Sequence, residues 1–182
     1  MNRRHFLIAG AGAAAIPVAV PAWSQGFYGY GSAASPPKVT DAMIGGKPVK
    51  VNYYAPSMRG RKIMGSLVPY RQVWCTGANF CTTITSEKAG LEIGSMKLPA
   101  GTYAIWTLPD EKEWQLILNK NIHAFHLDYD PSADIGRTRM DLKTLSEPVE
   151  QMRIEVRPEG GNKGRLAVMW ERTEASFVFT LV

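Results

Sequence analysis

The chain of 182 residues is marked first by what it lacks. No apolar run reaches the roughly 18 residues that a bilayer-spanning helix needs, so a transmembrane segment is excluded once any leader is removed. Charge of one sign is scarce: 21 basic against 16 acidic residues leave a formal +5. Without Arg3 and Arg4, which belong to the expected leader, the excess is 19 − 16 = +3, too weak to mark a nucleic-acid-binding surface. Glycine and proline are plentiful, at 17 and 12, but follow no period, which excludes collagen and coiled coil and points to many turns. With 45% hydrophobic and 10% aromatic residues, the chain has too much core-forming material for intrinsic disorder. There is no internal repeat. No Gly-x-Ser-x-Gly surrounds a serine, and no histidine pair has the helical i, i+4 spacing of metallopeptidases.

What is present begins with an address. Arg3-Arg4 precede Phe6-Leu7-Ile8, a mildly apolar Gly/Ala-rich stretch and the small-residue site Ala22-Trp23-Ser24. A charged start, a short apolar middle and a small-residue cleavage site make an export signal, and the arginine pair makes it of twin-arginine type. Residues 1–24 are therefore expected to be removed, which takes Arg3 and Arg4 away and places the mature protein in the periplasm or outside the cell. Residues 25–37, rich in Gly, Tyr, Ser, Ala and Pro, read as a flexible tether. Residues 38–182 have the size of one domain with a full core.

Within that domain the apolar period is two, the signature of strands half buried on a sheet. Val49, Val51 and Tyr53 alternate with Lys50 and Asn52, and Gly45-Gly46 supplies the positive φ of a tight hairpin. Thr82, Ile84 and Ser86 form a second such run, followed by Tyr103, Ile105 and Thr107 and by Trp114, Leu116 and Leu118. Met152, Ile154 and Val156 follow, then Leu166, Val168 and Trp170, and Phe177, Phe179 and Leu181 close the chain. Turn signals stand between most of them, among them Pro158 to Gly164 and Arg172 to Glu174. The expected fold is all-β, an antiparallel β-sandwich of about nine strands. Two long connections interrupt it, Pro56 to Tyr70 and Lys120 to Gly136, and loops of that length often carry function.

A series of short motifs resembles a known family. They are Pro56-Ser57, Gly60-Arg61-Lys62-Ile63, Leu67-Val68-Pro69-Tyr70, Val73-Trp74 and Thr76-Gly77-Ala78-Asn79. Downstream come Leu98-Pro99-Ala100-Gly101-Thr102-Tyr103, Asn119-Lys120-Asn121, Tyr129-Asp130-Pro131 and Trp170-Glu171. Together they resemble the bacterial exported family called domain of unknown function 2911, across nearly the whole mature chain. The resemblance implies an exported β-rich domain and no particular activity. Many members carry Arg where Cys75 stands and Glu-Ala where Phe80-Cys81 stand, so chemistry resting on that Arg and Glu is not expected here.

Three sets of residues are candidates for chemistry. Cys75 and Cys81 flank a five-residue loop, and in an oxidising compartment they are expected to form a structural disulfide, unbridged thiols and a metal thiolate pair being the alternatives. His123, His126, Asp128 and Asp130 fall within eight residues; on an extended backbone the last three share a side and suit a divalent transition metal, the one cofactor the chain suggests. Arg61, Tyr70, Thr76 and Asn79 are expected to line a concavity for a ligand, with loops held on a rigid scaffold. No catalytic residue is assigned. The leading functional expectation is a binding module for an unknown small ligand or envelope protein. A metal-dependent enzyme centred on the 120–136 loop and a structural cell-envelope protein are the alternatives.

Overall fold

The computed structural model describes residues 34–182; the expected export signal, residues 1–24, and residues 25–33 of the expected tether lie outside the described residues. The described chain is almost entirely antiparallel sheet, with one 3-10 turn at Pro131–Ala133 and no α-helix. Nine strands follow in order: β1 Pro37–Ile44, β2 Lys47–Tyr54, β3 Thr82–Ser86, β4 Leu91–Ile93, β5 Met96–Leu98, β6 Gly101–Leu108, β7 Trp114–Asn119, β8 Asp134–Pro158 and β9 Lys163–Leu181. They neighbour one another in the order β1-β2-β3-β6-β7-β8-β9-β4-β5. The β1–β2 hairpin turns through Gly45 and Gly46 at φ of 54° and 77°, the left-handed pair that matches strand twist, and pairs Ile44 with Lys47.

The sheet folds over on itself because β8 serves both layers. Its first part, Asp134 to Met140, pairs with β7, and from Asp141 onward it pairs with β9. β1 and β2 lie against β8 and β9 across the core. The chain leaving β2 seals that end: Met152 N–H donates to Pro56 C=O and Met58 N–H to Glu150 C=O, both at 2.8 Å. Inside lie Ile44, Val51, Ile84, Leu91, Leu116, Trp170 and Phe179, all fully buried.

Two features depart from the sequence expectation. Leu91/Ile93 and Met96/Leu98 form an additional hairpin, closed at Gly94. Arg172 to Glu174 is not a turn; β9 runs through it. The polar residues there mark a kink instead, at Glu171, whose φ is 54° and beside which the β8–β9 register slips on both sides of Val149. The bend is large. A straight strand would separate residues 165 and 176 by about 36 Å, yet Arg165 Nη1 sits 3.0 Å from Ser176 Oγ and 2.8 Å from Asp141 Oδ2. The hairpin is thus doubled back, and Leu181 N–H reaches Asn162 C=O at its tip.

Glu171 holds the kink in place. Its carboxylate accepts from Met64 N–H at 2.9 Å and Ile63 N–H at 3.4 Å. Charge-assisted bonds of this kind contribute about 1.5–3 kcal/mol, so Glu171→Ala is expected to lose an amount in that range in urea unfolding. Glu171→Gly loses the same acceptors but relieves the left-handed backbone, and is expected to recover about 1 kcal/mol of the loss. Equal stability of the two variants would remove backbone strain from the account.

Candidate functional site

The outer faces of β6 and β7 are covered rather than exposed. Ala104, Trp106 and Ile117 form a second apolar cluster with Cys75, Cys81 and Ala124, and Val73, Ile122 and Tyr129 pack at its margin. The segments 73–81 and 120–130 therefore serve as a lid on the sheet. This role decides the fate of most residues singled out from the sequence.

The histidines and aspartates do not converge. The sequence reading assumed an extended backbone, but turns at residues 122–123 and 126–127 break the alternation. His126 folds inward, its N–H 2.7 Å and its Nδ1 3.2 Å from Asn79 C=O, with its ring centroid 4.2 Å from that of Phe125. His123 stays exposed. Asp130 caps the 3-10 turn, accepting from Ser132 N–H at 2.9 Å and Ser132 Oγ–H at 2.7 Å, bonds that hold its carboxyl below the usual carboxylate range. Asp128 is exposed. Among the described residues no three His, Cys, Asp or Glu side chains stand together as a metal site.

What anchors this loop is a network the sequence reading passed over. Tyr129 Oη–H donates to Asp134 Oδ2 at 2.6 Å, and Arg137 Nη2 donates to both at 2.9 Å. Asn119, buried at the end of β7, donates from Nδ2 to Asp134 Oδ1 and to Asp130 C=O. Burial first, and the Asp134 carboxylate second, push the Tyr129 hydroxyl up to about 12, so it is a proton donor at neutral pH and ties the loop down. The spacing of Tyr129, Asp134 and Arg137, with Asp134 opening β8, was the available signal.

The disulfide expectation is corrected: Cys75 and Cys81 are both free and buried. Thr82 N–H donates to Cys75 C=O, so the register sets Thr82 opposite Cys75 and offsets Cys81, whose Sγ lies 3.7 Å from Asn121 C=O. Burial pushes the two thiols up to about 12 and about 11, away from the reactive thiolate. Native protein is therefore expected to react with a thiol reagent at pH 8 far more slowly than urea-unfolded protein, with both sulfurs released together on unfolding. Labelling at the rate of an exposed cysteine would contradict the buried placement.

The four proposed ligand residues also part company. Thr76 is wholly buried, left-handed at φ 55°, with its hydroxyl 3.2 Å from that of Thr107. Asn79, at φ 58°, offers its carbonyl to His126. Arg61 turns back on its own loop, bonding Met58 and Ser57 carbonyls. Tyr70 borders a niche of about 110 Å³ beside Trp114, Asp110 and Thr173.

The larger cavity lies elsewhere, in the crook of the doubled β8–β9 hairpin. It measures about 420 Å³ and is bordered by Asp141, Lys143, Arg157, Glu159, Arg165 and Glu174, with Ser176 at its wall. Arg165 binds Asp141 and Ser176 through Nη1 and Glu159 through Nε. Arg157 binds Glu155 at 2.8 Å and Glu174 at 3.4 Å. Lys143 and Leu142 also border the Tyr70 niche, so the two hollows flank the same stretch of β8. Sequence reading missed this site because its residues are spread over two strands and meet only through the bend at Glu171. The hollow holds charged side chains of both signs on rigid backbone and no nucleophile–base pair, an arrangement suited to holding a polar molecule.

No curated protein and no solved structure matches the chain. The motifs read from the sequence agree with the family comparison, which matches residues 35–179. The chain belongs to the family described as "Protein of unknown function (DUF2911)".

Proposed function

We propose that this domain works outside the cytoplasm as a binding module for a small polar molecule, and that the crook of the β8–β9 hairpin is its seat. The observation that carries the reading is the cavity itself: at about 420 Å³ it falls within the roughly 300–1,000 Å³ range of small-molecule sites. Its walls are strands, which hold side chains more firmly than loops do. The export signal supports the location, since the arginine pair and apolar stretch form an address read by a receptor.

The test is a thermal-shift screen of the mature protein against amino acids, carboxylates, phosphate esters and sugars, run beside Lys143→Trp, which fills the mouth of the hollow from an exposed position. At least one compound class is expected to raise the melting temperature of the parent and not that of the variant. A parent that responds to none of the four classes, or a response that survives Lys143→Trp unchanged, overturns the assignment.

A further inference from the structure

Which ligand chemistry the crook can accept follows from which of its groups are already spent. Every carboxylate that borders it has a cationic partner: Asp141 and Glu159 are held by Arg165, and Glu174 by Arg157. The cations are not all spent. Arg165 uses Nε and Nη1, and its Nη2 makes no bond among the described residues. Lys143 borders the same hollow, and its Nζ makes no ion pair or hydrogen bond among the described residues. The unfilled capacity is therefore that of hydrogen-bond donors carrying positive charge, which matches an oxyanion.

Resting on the binding-module reading above, we propose that the crook is an anion seat, taking a carboxylate or a phosphate group between Lys143 Nζ and Arg165 Nη2. Asp141 is its internal competitor. This carboxylate contacts Arg165 at 2.8 Å while its side chain is 74% exposed, so water screens the pair strongly and its contribution is small. An incoming oxyanion meets a donor fork whose present occupant is weakly held. Glu159, by contrast, is 34% exposed and engages Nε, and it remains as the group that fixes the guanidinium plane.

The proposal makes an unusual demand on mutagenesis: removing a site residue must improve binding. Inorganic phosphate, succinate and glucose are titrated into the mature protein at low ionic strength and followed by calorimetry and by backbone amide shifts. One of the two anions is expected to bind the parent, and which one does so separates phosphate from carboxylate as the natural chemistry. Asp141→Asn is expected to tighten that anion by about fivefold, the effect of removing one screened competing charge. Lys143→Gln is expected to weaken it by a similar factor, and added salt to weaken both. Both positions are exposed, so the variants should fold, which circular dichroism checks. Glucose binding without anion binding overturns the anion assignment and leaves the binding module standing. An anion that binds no more tightly to Asp141→Asn than to the parent also overturns it. Silence of all three compounds, together with a negative screen, removes both readings.

Discussion

Trp170→Ala is expected to cost about 3–5 kcal/mol of folding stability, the range for deleting a large aromatic side chain from a packed core. Trp170 is 1% exposed and stacks on Trp74, with ring centroids 6.0 Å apart and planes 23° from parallel. Trp74 in turn meets Trp114 edge-on at 6.1 Å, so the three indoles form one unit spanning the loop before β3, strand β7 and strand β9. Truncation removes the transfer contribution of the indole and leaves a void that Trp74 cannot fill while its own Nε1 is held by Gly77 C=O. It also removes the bond from Trp170 Nε1 to Glu150 C=O at 3.2 Å, though that carbonyl keeps Met58 N–H. A loss of this size is a large part of the 5–15 kcal/mol that a domain has in total. Trp170→Phe keeps the stacked ring and gives up mainly the hydrogen bond, so it should fall well short of the alanine value in urea unfolding. A cost below about 1.5 kcal/mol for alanine would mean that the residue is not in the core at all.

The same residue shows how far the fold could be read from the sequence. The alternation of Leu166, Val168 and Trp170 is a property of one strand, and a period of two survives in the folded protein wherever one face meets the core, as it does at Val49, Val51 and Tyr53. What alternation does not report is whether a strand ends or bends. Arg172 to Glu174 carries the polar residues of a turn, but Thr173 and Glu174 stay in the ladder opposite Thr144 and Lys143, and the positive φ falls just before them, at Glu171. The bend depends on the Glu171 carboxylate finding the Ile63 and Met64 amides, a contact between residues more than a hundred positions apart. No local pattern encodes such a contact.

The crook follows from the bend, so it was invisible for the same reason. Arg165 and Asp141 are ordinary outward-facing charges in sequence and become partners only because β9 doubles back. The long connections misled in the opposite direction. Their length suggested ligand loops, whereas the 120–136 connection helps cover Trp106 and Ile117 on the second face of β6 and β7, and Pro56 to Tyr70 sends Ile63, Met64 and Val68 into the main core. The β6 and β7 strands did hold the clue, since Ala104, Trp106 and Ile117 place apolar side chains on the face that a one-sided sheet would leave polar.

The buried thiols under that lid make the folded protein selectively sensitive to alkali. In the unfolded chain they titrate near 9.0, and in the folded protein burial moves them to about 12 at Cys75 and about 11 at Cys81. Both pKa values are raised, so their contribution is fully present below pH 9 and is lost as the pH rises toward the folded values. In that window the unfolded state has released protons that the folded state retains. Each thiol should then lower the folded-to-unfolded ratio by about tenfold per pH unit. Tyr129 adds a decline of the same sign, but it starts nearer the ordinary tyrosine value of 10.0. Urea unfolding under reductant at successive pH values between 8 and 10 therefore isolates the cysteines. The parent is expected to lose stability steeply above pH 9, and Cys75→Ala/Cys81→Ala to stay level until about pH 10, where tyrosine ionisation begins. At neutral pH the double variant should be somewhat weaker than the parent, because two small apolar groups have left a packed cluster. The two stability curves should therefore converge as the medium becomes alkaline, and parallel curves would place the sulfurs in water rather than under the lid.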